Sequence, residues 1–233
     1  MQEMINQWLP NLVRYWPEFL TSIVETLQMM AWAGVFSIFF GLIFGVILVV
    51  TQKGNILEHV MISQVNAFIH QFIDKTVNIM RSIPFLILIV AIGPFVLFIV
   101  GTAIGVKGAI LPMVIGCTPF VIRQVEMALS TVDPGLIEAA EAMGLSPFKI
   151  ITKVYLKESV PQLIRAVTIT LISLLDLTAM AGIIGGGGLG AFVIRYGRGR
   201  FYTDIIVVSV IVLVLMVMVI QMIGNALSRK FTH

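Results

Sequence analysis

Asp176 lies in Leu174-Leu175-Asp176-Leu177-Thr178, a carboxylate in the middle of an apolar run. A charge at the centre of a bilayer-crossing helix costs ~2.5–3.5 kcal/mol on insertion scales, so it belongs on a face turned to the bundle interior or to water. There it can meet an ammonium group, relay a proton, or pair with a polar group on a neighbouring helix. Met180 stands four residues on and shares the face of Asp176, with Thr178 between them. Ser82, Pro84, Pro119 and Arg123 are further polar or helix-bending residues inside or beside apolar stretches.

Other chemistry is thin. Gly185-Gly186-Gly187-Gly188-Leu189-Gly190 satisfies the spacing G-x-G-x-x-G, but that pattern binds dinucleotides only between a strand and a soluble helix. Here it follows an apolar helix, so it reads as irregular backbone at a membrane mouth, lining protein or water. The dipeptide Gly-Lys is absent, and with it the phosphate loop G-x-x-x-x-G-K-[ST]. No Ser/His/Asp or Cys/His set is apparent, so no catalytic residue is assigned. His59, His70 and His233 are isolated and read as solvated or interfacial. Cys117 reads as a small buried hydrophobe. No spacing suits a metal ion.

One polar stretch carries a recognisable shape. Residues 138–147 read Glu-Ala-Ala-Glu-Ala-Met-Gly-Leu-Ser-Pro. Asp133 can cap a helix with Pro134 in its first position and Glu138 and Glu141 in its early turns. Gly144 suits the left-handed residue that ends it. Ser146-Pro147 restarts a second helix, which Pro161 limits. Leu136, Ile137, Ala140 and Met143 are expected to form an apolar ridge, with Glu138 and Glu141 as acceptors and the small Ala139 and Ala140 allowing close approach. Such a loop, about 131–161, can be pushed by something outside the bilayer.

These elements sit in an apolar chain. Of its 233 residues 58% are hydrophobic and 12% charged, against about 25% charged in a soluble domain; mean hydropathy is +1.02. This is the composition of an all-α integral membrane protein. The net charge of +3 comes from basic residues at span ends and does not suggest nucleic acid. No cleaved signal peptide is expected, because residues 1–19 mix acidic, basic and aromatic residues. A crossing takes about 20 residues, and five runs qualify: near 21–50, with the pair Gly41 and Gly45; near 76–100, broken by Pro84 and Pro94; near 108–129, with Pro112 and Pro119; near 163–184; and near 205–227. No internal repeat is visible.

An odd number of spans puts the termini on opposite sides. With the N-terminus outside, Lys53, Lys75, Arg81, Arg123, Lys149, Lys153, Lys157, Arg165, Arg229 and Lys230 lie inside, against Arg14, Lys107, Arg195, Arg198 and Arg200 outside. Ten against five favours an outer N-terminus and a cytoplasmic C-terminus. The trio at 195–200 breaks the rule locally, as a docking surface or as an interfacial anchor.

Glu138-Ala139-Ala140, Gly144, Val154 and Val160-Pro161 resemble the cytoplasmic EAA loop of ABC-importer permeases, with Val-Pro where that family has Leu-Pro. Arg81-Ser82-Ile83-Pro84-Phe85, Val100-Gly101-Thr102, Pro119-Phe120, Thr168-Ile169-Thr170, Ala179-Met180-Ala181-Gly182 and Gly187-Gly188-Leu189-Gly190 resemble the methionine-uptake branch, over about residues 20–230. The resemblance implies a type I ABC importer permease fold, with residues 1–233 as one transmembrane domain. It implies ATPase coupling through Glu138, Ala139, Ala140, Glu141, Met143, Gly144 and Pro147, and a substrate path or gate among Asp176, Thr178, Met180, Ser82, Pro84 and Pro119. The expected partners are a second copy of the chain, two cytoplasmic ATPase subunits that bind ATP and Mg, and an extracytoplasmic binding lipoprotein. No cofactor is expected on this chain, and the location is the bacterial inner membrane. Asp176 departs from the family pattern, where a small or neutral residue is usual, and leaves the substrate open. An ion-coupled carrier with Asp176 as proton relay, and a non-transporting membrane scaffold, remain as alternatives.

Overall fold

Apolar periodicity and proline placement decide where the helices of this chain run. The computed structural model describes residues 8–58 and 62–231, which are helical apart from turns and short connections. His59 and His233 lie outside the described residues. A short helix α1 (Pro10–Arg14) leads into α2 (Trp16–Val50). Then follow α3 (Ser63–Ser82), α4 (Phe85–Ala91), α5 (Gly93–Val100) and α6 (Gly105–Leu129). The polar loop carries α7 (Pro134–Ala142), α8 (Pro147–Ile150), a π-helical stretch Ile151–Tyr155 and α9 (Leu156–Glu158). Helix α10 (Val160–Ile183), the short α11 (Gly188–Phe192), a second π-helical stretch Val193–Arg198 and α12 (Thr203–Lys230) complete the chain.

Among the described residues, four largely helical stretches are long and apolar enough to cross a membrane: Trp16–Val50, Gly105–Leu129, Val160–Arg198 and Thr203–Phe231. They contain four of the five expected runs. The run near 76–100 is not one helix. Ile83 is extended (φ −85°, ψ 119°) ahead of Pro84, because the proline ring disfavours helical geometry in the residue before it. Ile92 (φ −88°, ψ 1°) separates α4 from α5 ahead of Gly93-Pro94. Each of these two helices is under ten residues, about 12 Å or less at 1.5 Å per residue, far short of a ~30 Å hydrocarbon core. Pro112 and Pro119 leave α6 continuous. Prolines are tolerated in this way where neighbouring groups take up the freed carbonyls.

The described residues fall into two compact units. One gathers those of Met1–Phe36, Pro84–Gly116 and Leu171–Gln221; the other those of Ser37–Ile83, Cys117–Thr170 and Met222–His233. In the first, Leu12, Phe19, Leu189, Phe192 and Ile205 form a buried cluster, with Tyr15, Tyr196 and Tyr202 packed on it. Asp204 fastens α1 there: its carboxylate accepts from the N–H of Asn11 (2.9 Å) and of Leu12 (3.2 Å), and from Asn11 Nδ2 (3.1 Å). In the second, Leu48, Val77 and Ile122 form the cluster, with Ile73 against it. Helix α3 is amphipathic: Asn66, His70, Ile73 and Val77 face inward, while Val65, Phe68, Phe72 and Ile79 are exposed. His70 is therefore not a solvated residue. Its Nδ1 lies 3.1 Å from the Leu48 carbonyl and 3.3 Å from Thr51 Oγ1.

Candidate functional site

The polar loop after α6 is built by its caps. The Asp133 carboxylate accepts from the Gly135 N–H at 2.8 Å, and Pro134 occupies the first turn, where a missing N–H costs nothing. At the other end Gly144 is left-handed (φ +75°). Its N–H donates to the Glu141 carbonyl (2.8 Å) and the Leu145 N–H to the Ala140 carbonyl (3.1 Å). This pair of bonds is the Schellman closure, which satisfies the last carbonyls of a helix and turns the chain. Pro147 then opens α8 after extended Ser146.

The loop's far end is tied back by one buried side chain. Tyr155 closes the π-helical stretch, and its hydroxyl donates to Asn55 Oδ1 at 3.0 Å. Asn55 Oδ1 also accepts its neighbour Ile56 N–H at 2.7 Å. Burial pushes the Tyr155 hydroxyl above the ordinary tyrosine value; the bond to Asn55 opposes this and the Glu141 carboxylate adds to it. A cavity of about 280 Å³ opens between these parts, lined by Gln52, Asn55, Ile137, Glu138, Glu141 and Tyr155 among others.

The expected ridge is divided between two faces. Ala140 is buried (2% exposed) and Ile137 half-buried toward the chain's own cavity, while Leu136 and Met143 point outward (46% and 72%). Helical spacing places 136, 137, 140 and 143 within a stripe of about 120°; the chain's own packing covers its 137 and 140 side and leaves 136 and 143 outward. Glu138, Ala139, Glu141 and Gly144 are exposed and Pro147 is half-buried. Phe148, which sequence reasoning did not single out, is a further exposed apolar side chain of the same loop (73%).

Of the residues expected along a substrate path, Asp176 and Met180 (43%) are exposed on α10, with Ile183 (54%) on the same side at the next turn. Thr178 is buried, its hydroxyl donating to the Leu175 carbonyl at 2.6 Å. Ser82 and Pro84 are exposed, the Ser82 hydroxyl donating to the Asn78 carbonyl at 2.9 Å. Pro119 is buried. Both hydroxyls are thus engaged by their own helices, and Asp176 and Met180 are the exposed pair on α10.

Two polar constellations were not foreseen. Arg123 donates to Asp74 Oδ1 (2.5 Å), Asn78 Oδ1 (2.8 Å) and Glu126 Oε2 (2.6 Å), joining α3 to α6. Gln52 donates to the other Glu126 oxygen at 3.2 Å. The signal was in the sequence as Asp74 and Asn78, one turn apart on the amphipathic helix α3, where many other polar residues masked it. Glu25 and Thr26 form the second, against the glycine run: Glu25 Oε2 accepts from the Gly188 N–H (2.6 Å) and Thr26 Oγ1 from the Leu189 N–H (2.9 Å). Gly185, Gly187 and Gly188 all have positive φ there, so the run is irregular backbone as expected. In the trio at 195–200, Arg195 and Arg198 are exposed. Arg200 donates to the Tyr15 hydroxyl at 2.5 Å and lies over the rings of Tyr15 and Tyr196.

Residues 54–232 match the family described as binding-protein-dependent transport system inner membrane component. The probable D-methionine transport system permease MetI of Vibrio cholerae is 46% identical over 214 residues, 92% of either chain. Its counterpart in Pasteurella multocida is 40% identical over 220 residues, 94% of this chain and 98% of the relative. Among solved structures, an inward-facing MetNI methionine ABC transporter superposes with a TM-score of 0.89 at 39% identity, covering 94% of this chain and 99% of that one. An amino acid ABC transporter with histidines shares the fold, at a TM-score of 0.77 and 17% identity. With four long apolar helices and this match over most of its length, the chain belongs to the family of binding-protein-dependent transport system inner membrane components.

Proposed function

We propose that the chain is the membrane-spanning permease subunit of an ATP-driven importer of methionine. The observation that carries this is the loop 131–161: two helices meeting at a Schellman corner, with Leu136, Met143 and Phe148 exposed and Glu138 and Glu141 beside them. A soluble surface rarely leaves large apolar side chains grouped unless a partner covers them. The partner is a cytoplasmic ATPase, one for each of two copies of the chain, which binds ATP and Mg; this chain supplies no catalytic group. Glu138, Ala139, Ala140, Glu141, Met143, Gly144 and Pro147 make the coupling helix and its corner. The methionine permease relatives at 40–46% identity support the substrate.

Five crossings complete the fold in this reading. The fifth is made by α4 and α5 together with the end of α3, a broken span whose irregular backbone is tolerated where it lines protein or water. The N-terminus lies outside and the C-terminus in the cytoplasm, in a bacterial inner membrane, and an external binding protein delivers the substrate. Asp176 and Met180 face the path, with Thr178, Ser82, Pro84 and Pro119 shaping the helices around it. ATP binding draws the ATPases together, the loops move with them, and the path changes its open side.

The test is reconstitution of the chain with its ATPase and binding protein in liposomes, followed by uptake of a panel of labelled amino acids. Methionine uptake that requires ATP is expected. Uptake driven by an ion gradient without ATP would favour a secondary carrier, and preference for another amino acid would overturn the substrate.

A further inference from the structure

We infer that Glu25, with Thr26 beside it, is a positioning residue: it latches the glycine turn 184–188 and thereby fixes the end of α10 that carries Met180. The inference rests on the transport reading above.

Glu25 is the tenth residue of the thirty-five in α2. An acidic side chain inside an apolar span is retained where a partner meets it, and here the partner is backbone. The 2.6 Å bond from the Gly188 N–H to Glu25 Oε2 is charge-assisted, the stronger class of hydrogen bond. One residue on, Thr26 Oγ1 accepts from the Leu189 N–H and donates to the Ser22 carbonyl, both at 2.9 Å, which sets the hydroxyl's direction.

The glycine run is fitted to these two side chains. A β-carbon on Gly187 would stand 2.7 Å from Glu25 Oε2, and one on Gly188 2.8 Å from Thr26 Oγ1. A third tie comes from the Gly105 N–H, which donates to the Gly185 carbonyl at 2.8 Å. Residues 184–188 are therefore held largely by hydrogen bonds to bare backbone, while Leu189, next in the chain, is anchored with Phe192 in the buried cluster. Movement of the turn reaches α10 directly. Gly182 and Gly190 bring the two arms of the turn into backbone contact: a β-carbon on Gly182 would stand 2.4 Å from the Ala191 nitrogen, and one on Gly190 2.4 Å from the Ala179 oxygen. Ala179 and Ala181 flank Met180, so the latch controls the segment next to the exposed Asp176–Met180 face.

The test compares Glu25→Gln, which keeps an oxygen acceptor without charge, with Glu25→Leu, which removes it. Both are made in the complete complex in lipid nanodiscs and liposomes. Two readouts are taken: hydrogen exchange at Gly188 and Leu189, and the concentration dependence of uptake. Glu25→Leu should speed exchange of these amides about tenfold or more, the scale of losing one hydrogen bond to a charged group. Its maximal uptake rate should fall by a similar factor at unchanged half-saturating concentration, and Glu25→Gln should lie between on both readouts. Unchanged exchange in Glu25→Leu overturns the latch; faster exchange with normal uptake overturns its positioning role. A shift in half-saturating concentration alone makes Glu25 a substrate contact and also overturns it. If Glu25→Leu fails to assemble, an intermediate Glu25→Gln carries the proposal and a wild-type Glu25→Gln on both readouts overturns it. Failure of the wild-type complex to import any amino acid removes the transport reading and the positioning role with it, while the exchange readout still decides whether the latch exists.

Discussion

Gly41 turns bare backbone toward Val121, so close that a β-carbon on it would stand 2.4 Å from Val121 Cγ1. Gly45, one turn on, meets Val125 in the same way, at 2.7 Å. Between apolar helices in lipid, close packing replaces the hydrophobic drive, and small residues allow it. Gly41→Val should cost about 1–3 kcal/mol of stability, the range for overpacking a filled contact. The thermal midpoint in detergent reads this. Adding Val121→Ala in the same chain should recover most of the loss; no recovery would mean that the contact is not what limits the helices.

Gly144 isolates a backbone effect. Nothing lies within 4 Å of a β-carbon added there, yet its φ is +75°. Gly144→Val therefore brings conformational strain without a clash, about 1–3 kcal/mol at one residue. That displaces α7 and its exposed Leu136, Ala139 and Met143 without disturbing apolar helices embedded in lipid. Expression and membrane insertion should be normal and ATP-driven uptake abolished. Gly144→Asn, which tolerates the left-handed region, should keep much of the uptake. Equal loss in both would show that the corner's geometry is not the cause.

The loop was the most legible part of the chain because its signals are local. Asp133, Pro134, Gly144 and Ser146-Pro147 each act within a few residues, and each bears out in the caps and turn of the fold. The long helices were legible from apolar length, and the Gly41/Gly45 pair from its spacing. The run near 76–100 was legible as apolar and as broken at Pro84 and Pro94, and the fold divides it at those two places into the end of α3, α4 and α5. What stayed hidden depends on distant partners. Tyr155 and Asn55 are 100 residues apart, Glu25 and Gly188 163, and no periodicity in one segment names its partner in another. The ridge of α7 failed for a related reason: which face turns inward is set by what packs on it, not by the helix's own sequence.

Tyr155 gives the loop a pH response. Burial raises its hydroxyl above the ordinary 10.0, so the folded chain favours the neutral form. The stabilisation is full below the unfolded value, about 10, and is lost as pH rises through the higher folded value. Protease cleavage within 131–161 should accelerate over that alkaline window. Tyr155→Phe removes the bond to Asn55, for about 1 kcal/mol, and should leave cleavage faster at neutral pH and less responsive to alkali. An alkaline response in Tyr155→Phe as steep as in the parent chain would assign it to another group.

Asp176 is exposed within the apolar helix α10, four residues before the exposed Met180. Lipid is the one neighbour a carboxylate there should not have, so this face belongs against the path or a second copy of the chain. Asp176→Asn keeps the shape and removes the charge. Expression and assembly with the ATPase should hold, because no folded neighbour is left unpaired. Uptake should change in rate or in preference among amino acids, since a carboxylate facing the path attracts an ammonium group as a neutral amide does not. Competition between labelled methionine and unlabelled analogues with and without a free amino group measures this. If Asp176→Asn lowers uptake of every analogue equally and also impairs assembly, the carboxylate holds the fold and does not read the substrate.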